Sequence, residues 1–283
     1  MDIKKFEKIN KFTSAIVFFI ALTTYYLTVE PTASYWDCAE YISTSAKLQI
    51  GHPPGAPFFQ MIGAFFASFA SSPEDIAFMV NMMSVFASAF TILFLFLTIS
   101  IIGKKILKIS KTITNLEMLK ILSASTIGAL SFTFSDSFWF NAVEAEVYAM
   151  ATCIMSLLFW LGFKWEQDFE KDRGNKWLIL ISFVIGLSFG VHFMGLLVIP
   201  AIGMIYFFKK YPNPNIKNFI IANILSVAIL LFIFKLLLPS TLGLFGYMEV
   251  FFVNTLGLPF DSATIFRATL FIFVFSFAIN YSR

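Results

Sequence analysis

Between Tyr35 and Phe59 the chain reads YWDCAEYISTSAKLQIGHPPGAPFF. The stretch carries two carboxylic acids, Asp37 and Glu40, then Lys47 and His52, and closes on a Pro-Pro-Gly break at Pro53-Pro54-Gly55. Apolar runs flank it, FTSAIVFFIALTTYYL from Phe12 to Leu27 before it and a longer one from Ile76 after it. A third apolar piece, Ala56–Ala70, follows the break. Whether that piece crosses a bilayer decides the topology of everything after it.

Composition already points to a membrane. Of 283 residues 58% are hydrophobic and 13% charged, against roughly 45–50% and about 25% in soluble domains. The excess is lipid-facing surface. Two cysteines, Cys38 and Cys153, make no disulfide framework, and a net charge of +3 is too small to suggest nucleic acid. A hydrocarbon core about 30 Å thick needs roughly 20 helical residues. Runs approaching or exceeding that length lie near Phe12–Leu27, Ile76–Ile102, Ile121–Phe134, Glu144–Phe163, Trp177–Phe208, Phe219–Leu238 and Thr264–Tyr281. The first follows four lysines, as a signal peptide does, but no small-x-small cleavage site comes after it, so it reads as an uncleaved span.

The basic residues orient the spans. Sixteen of the 20 Lys and Arg fall in residues 1–11, 103–120, 164–176 and 209–217, and the positive-inside rule assigns all four segments to the cytoplasm. Counting Ala56–Ala70 as a span would push the lysines of 103–120 outside. It is therefore expected to lie along the outer interface or to re-enter, within a first extracytoplasmic loop over residues 29–75. By the same parity Trp177–Phe208 is a hairpin of two short helices, turning near Gly190-Val191-His192. The expected fold is all-α: a polytopic bundle of about eight membrane helices, with the N-terminus in the cytoplasm. It reads as a single transmembrane domain over residues 1–283.

That orientation gathers the polar residues. Ten of the 17 acids reach the outer face: Glu30, Asp37, Glu40, Glu74, Asp75, Asp136, Glu144, Glu146, Glu249 and Asp261. His52, His192, Lys47 and Arg267 join them. Ionisable groups at membrane depth are costly and point to function, and their gathering on one face suggests a cavity open to the outside. Thr32 or Ser34 can cap a short helix running through Leu48, which puts Asp37 and Glu40 one turn apart on one face. A capping box, Ser34-x-x-Asp37, is the structural alternative for Asp37, and a solvated surface position is the alternative for Glu40. Pro53 holds His52 extended, and Pro54-Gly55 stops any helix there; an ordinary turn with an interfacial histidine reads equally well. In SDSFWFNAVEAEVYAM, from Ser135, Asp136 suits a turn. Glu144 and Glu146, two apart, face different directions, so one of them at most points into a cavity. His192, at the hairpin tip, is either a satisfied polar group or part of the site. A glycine-rich phosphate loop, zinc-ligand spacing and a nucleophile signature are all absent from the sequence.

Three blocks, YWDCAEYISTSAKLQIGHPPGAPFFQMIG, FWFNAVEAEVYAM and GLSFGVHFMGLLVIPA, resemble the signatures of glycosyltransferase family 117, polytopic membrane proteins common in Bacteroidetes and related to protein O-mannosyltransferases. The resemblance spans roughly Tyr35–Ala201. It implies a GT-C architecture, with short interfacial helices and a catalytic acid in the first outer loop. It also implies a polyprenyl-phosphate sugar as donor and transfer to a protein or glycan acceptor on the extracytoplasmic face of the inner membrane. By position Asp37 is similar to the family's catalytic acid, with Glu40, His52, Glu146 and His192 as companions. Members are usually longer, so the chain is expected to be the N-terminal part of a larger protein.

In that chemistry a carboxylate takes the acceptor hydroxyl's proton, and the leaving lipid phosphate needs its charge stabilised. Asp37 is the expected base. His52, Lys47 or Arg267 are the candidates to face the phosphate, and the lipid tail would lie between Phe-rich helices. No cofactor is called for, although Asp37 with Glu146 could hold one divalent ion. The competing classes are a transporter or flippase, for which the outer acids would line a path, and a noncatalytic scaffold. Near-absence of charge in the inner parts of the spans favours surface chemistry on a lipid-borne substrate over passage.

Overall fold

The computed structural model describes residues 2–281 apart from Pro54, Asp172 and Arg173; the Pro54 of the expected break thus lies outside the described residues. Among the described residues twelve α-helices follow in order: α1 Ile3–Leu27, α2 Cys38–Lys47, α3 Pro57–Ala67, α4 Ile76–Ile106, α5 Asn115–Thr133, α6 Asp136–Ala142, α7 Val147–Asp168, α8 Lys176–Ser188, α9 Val198–Lys210, α10 Ile216–Phe232, α11 Leu238–Val250 and α12 Ser262–Tyr281. Among the described residues there is no strand, only an isolated bridge between Asp2 and Thr112. The all-α membrane bundle expected from the sequence is what the chain adopts.

Local signals set the helix ends. The Asp2 side chain accepts from the Lys4 amide at the start of α1. Thr114 and Glu117 form a reciprocal capping box on α5. Pro57, whose missing N–H costs nothing in a first turn, opens α3. The α2 helix ends at Leu48 in the left-handed region (φ 48°). Its eleven residues make α3 about 16 Å long, about half the thickness of a bilayer core.

The chain divides into two compact units, Met1–Asn223 and Ile224–Arg283. In the first, α4 is the central post, packed against α1, α3, α5 and α7. Its buried face carries Ser84, Ala87, Ser88, Ala89 and Ser100, small residues that let neighbouring backbones approach closely where lipid provides no hydrophobic drive. One apolar cluster joins α1, α4, α5 and α6 around Tyr25, Phe96 and Phe138. Another joins α2, α3, α4, α7, α8 and α9 around Phe59, Met83 and Leu158.

The two ends of this unit differ in chemistry. At one end Lys104 pairs with Glu7 at 2.5 Å, Lys105 pairs with Glu166, the Ile3 amide donates to the Lys111 carbonyl at 3.3 Å, and Lys209 lies over the Phe169 ring. The lysine-rich segments grouped by charge counting thus meet in space. At the other end the Glu30 amide donates to the Val143 carbonyl at 2.9 Å, and the Phe58 and Phe59 amides both donate to Gly190 O at 2.8 and 3.0 Å.

Among the described residues four helical stretches are long and apolar enough to cross a membrane: Pro73–Ile106, Val147–Asp168, Phe193–Lys210 and Ile216–Thr255. A fifth appears if α5 and α6, bent by 68°, count as one span. That is fewer than the eight expected. The α8 helix is short at 13 residues, and α1 carries Thr23, Thr24, Tyr25 and Tyr26 in its C-terminal half, which dilute its hydropathy. The break expected at Gly190–His192 is present, between α8 and a 3-10 turn over Phe193–Leu197 that leads into α9. Helix also continues beyond Leu238, where the sequence suggested a span would end, through α11 and a π turn at Phe251–Thr255; another π turn, Ile233–Leu237, joins α10 to α11. In the second unit Arg267 is buried, stacked 3.8 Å from the Phe245 ring centroid and 3.8 Å from Glu249.

Candidate active site at the acidic end

The segment between α1 and α2 is fastened down residue by residue. Ser34 Oγ donates to the Glu144 carboxylate, and the Asp37 amide donates to Glu146 Oε1 at 3.1 Å. The capping box Ser34-x-x-Asp37, the structural alternative for Asp37, therefore does not form. Asp37 occupies the N-cap position of α2, but its side chain makes no cap hydrogen bond. Trp36, immediately before it, has φ 60°, a left-handed conformation that a bulky side chain adopts only when its surroundings impose it. The resulting kink frees the Asp37 carboxylate, which is half exposed at 52%.

His52 arrives from the far side of α2. Its backbone amide donates to Glu40 Oε1 at 2.6 Å, and its Nδ1 lies 2.9 Å from Glu40 Oε2, so both oxygens of Glu40 are occupied by one residue. The other ring nitrogen, Nε2, is 3.8 Å from Asp37 Oδ2. The turn after His52 holds it there, with the Gly55 amide donating to His52 O at 2.8 Å and Gly55 at φ 72°. Hydrogen bonding to Glu40 raises the His52 pKa and lowers that of Glu40. Imidazolium and carboxylate therefore support each other.

Asp37, Tyr41, His52 and Gly55 form one wall of a cleft of about 220 Å³; Glu146, Val147, Tyr148, Phe189, Val191, His192 and Phe193 form the rest. Four of the expected site residues, Asp37, His52, Glu146 and His192, thus converge from four separate parts of the chain. Glu146 is buried at the N-cap of α7, and burial, reinforced by Asp37 and Glu144, pushes its pKa up to about 7. Its neighbour Glu144 is also buried and turned away towards Ser34; only one of the pair enters the cleft, as their spacing implied. Burial lowers the His192 pKa. Its Nδ1 accepts from the Met194 amide at 3.2 Å, which places the proton of the neutral ring on Nε2.

Glu40 and Lys47 do not line the cleft. Glu40 stands behind His52. Lys47 is exposed at the opposite end of α2, ten residues from Asp37 and so roughly 15 Å along the axis. Arg267 belongs to the second unit and is occupied by the carbonyls of Ala263 and Leu244, the Thr264 hydroxyl and Glu249. Sequence reasoning missed Tyr41 and Tyr148, whose rings lie 6.0 Å from His52 and 5.4 Å from His192. Neither carries a local signal for that role, and only long-range packing makes them walls. The donor set best placed for a divalent cation is Asp37, Glu40 and His52, with ligand atoms within 4.8 Å of one another, rather than Asp37 with Glu146. Glu146 instead holds the backbone of Asp37.

Comparison with known proteins places this arrangement. Residues 37–215 match the model of the protein O-mannosyl-transferase TMEM260 N-terminal domain; the match opens on Asp37 and takes in every cleft residue. A curated relative is the protein O-mannosyl-transferase tmem260 of Dictyostelium discoideum, 28% identical over an alignment of 210 residues that covers 69% of this chain and 24% of that protein. The chain thus spans about a quarter of that relative's length. No solved structure matches. With more than half of its length matched, and all of the cleft inside the match, the chain belongs to the protein O-mannosyl-transferase TMEM260 N-terminal domain family.

Proposed function

We propose that the chain is the membrane module of a glycosyltransferase that moves mannose from a polyprenyl-phosphate donor to a protein hydroxyl on the extracytoplasmic face. The observation that carries the reading is the cleft itself. It presents a half-exposed carboxylate, Asp37, beside an imidazole held by a second carboxylate, Glu40, within a family whose relative is a protein O-mannosyl-transferase. The narrower assignment to glycosyltransferase family 117, and with it the lipid-linked donor, rests on the three sequence blocks.

In this reading Asp37 accepts the proton of a serine or threonine hydroxyl as its oxygen attacks the anomeric carbon. The bond from that carbon to the phosphate oxygen breaks, and the lipid phosphate leaves with the electron pair. Its charge meets His52, whose protonated form the Glu40 hydrogen bond favours, and the Nε2–H of His192. Donors that meet charge as it develops are how such sites lower a barrier. The apolar wall of Val147, Phe189, Val191 and Phe193 excludes water, which would otherwise compete as acceptor. Positive residues collected at the opposite end of the bundle support an extracytoplasmic position for the cleft.

The test incubates the full chain, in detergent or nanodiscs, with polyprenyl-phosphate mannose and a Ser/Thr peptide. Joint appearance of mannosylated peptide and free lipid phosphate is expected. Binding of the donor with no transfer by the wild-type chain, under conditions where a known transferase works, overturns the assignment.

A further inference from the structure

Asn81 is the single amide in α4, and it is fully buried. A helical asparagine ordinarily satisfies itself on its own preceding turn, as Asn141 does on Ser137 O and Asn223 on Phe219 O. Asn81 bonds nothing in its own helix. Its Nδ2 donates to Glu30 O at 2.7 Å and to Thr32 O at 2.8 Å, and its Oδ1 accepts from the Cys38 thiol at 3.8 Å. Its three partners therefore bracket the connection between α1 and α2, from two residues after its start to the residue bonded directly to Asp37.

That connection has no helix or strand of its own between Val29 and Asp37, so its carbonyls must find partners elsewhere. The other ties, Glu30 N to Val143 O, Ser34 to Glu144 and Asp37 N to Glu146, all run to the corner between α6 and α7. Among the described residues, the side-chain hydrogen bonds of Asn81 are the ones that tie the segment to the central helix. The left-handed Trp36 is independent support, because a bulky residue stays in that region only where neighbouring contacts over-determine it.

Resting on the transferase reading, we propose that Asn81 is a positioning residue. It fixes residues 30–38 to α4 and thereby holds the Asp37 carboxylate at the mouth of the cleft, without touching substrate. Two independent readouts test this. In a Cys153→Ala background Cys38 is the one thiol left, fully buried in the wild-type packing. Asn81→Ala removes both bonds to the Glu30 and Thr32 carbonyls, and alkylation of Cys38 by N-ethylmaleimide is expected to rise about tenfold or more. Misplacement of a reacting group by an ångström costs on the order of 10²-fold. The variant's kcat is expected to fall by about that factor, while KM for the lipid donor stays within about twofold because His52 and His192 are not tied to Asn81.

Wild-type Cys38 protection together with wild-type kcat in Asn81→Ala overturns the proposal. So does an equal loss of kcat and donor binding, which marks general disruption. If the variant does not fold, hydrogen exchange on the unaltered chain decides: the Glu30 and Asp37 amides must exchange as slowly as those of α4, and fast exchange refutes the clamp. Should the wild-type chain transfer no sugar at all, the transferase reading fails, while Cys38 protection and amide exchange still decide whether Asn81 holds the segment.

Discussion

Asp37→Asn separates proton acceptance from every other service Asp37 performs. The side chain makes no cap hydrogen bond, so the substitution removes none. The tie to Glu146 runs through the Asp37 backbone amide and survives any change of side chain. What is lost from the folded structure is the 3.8 Å approach to His52 Nε2, between side chains that are 52% and 43% exposed. A pair that open to water is worth about 0–1 kcal/mol. Loss of a general base costs about 10²–10⁴-fold in rate, which is roughly 2.7–5.5 kcal/mol of barrier at 1.36 kcal/mol per decade. The two quantities do not overlap. In a transfer assay with thermal unfolding run alongside, Asp37→Asn is expected to hold its Tm within a few degrees, bind the donor and transfer less than about a hundredth of the wild-type sugar. A folded variant that retains transfer within about tenfold of wild type refutes the reasoning, and the base must then be sought in Glu146, the other carboxylate of the cleft.

The remaining expectations concern the residues around it. Glu40→Gln removes the group that raises the His52 pKa. Since a raised histidine keeps its charge to higher pH, the alkaline limb of the pH–rate profile should move to lower pH; an unchanged limb disconnects His52 from the phosphate. Glu146 has a folded-state pKa of about 7 against an ordinary 4.5. The folded chain therefore holds a proton there that the unfolded chain has released, and stability falls as pH rises between those values. Glu146→Gln, which keeps an acceptor for the Asp37 amide, should flatten that fall; a steep fall that persists in thermal unfolding between pH 5 and 8 assigns it to another group. At Gly190 an added Cβ would sit 2.6 Å from Phe58 Cβ and 3.1 Å from Phe58 N. Gly190→Ala should cost about 1–3 kcal/mol through overpacking and lower Tm, since α3 begins on the Gly190 carbonyl; an unshifted Tm contradicts that close contact.

Much of this protein is written locally. The all-α architecture follows from apolar runs, because a lipid-exposed backbone has to bond within its own helix. The stop after His52 follows from proline and glycine, and the break between α8 and α9 falls at Gly190-Val191-His192. Each of these signals acts within a few residues and is visible in their order. Lys47, grouped with the outer polar residues by its place in the first loop, does not line the cleft, because α2 carries it to the end away from Asp37.

Convergence is what the sequence alone did not contain. Glu40 looked like a partner of Asp37 one turn along a helix, and the fold instead gives both its oxygens to His52, twelve residues on. Glu144 and Glu146 were indistinguishable by type until the α6–α7 corner turned one to Ser34 and the other to the Asp37 amide. Asn81 left a trace, one amide in an apolar helix, but its partners lie 43 to 51 residues away. Helices and breaks arise from hydrogen bonds and sterics between neighbours, so the sequence determines them by itself. A cleft arises from which helix faces pack together, and that choice is made by contacts between distant residues that only the folded chain brings within reach.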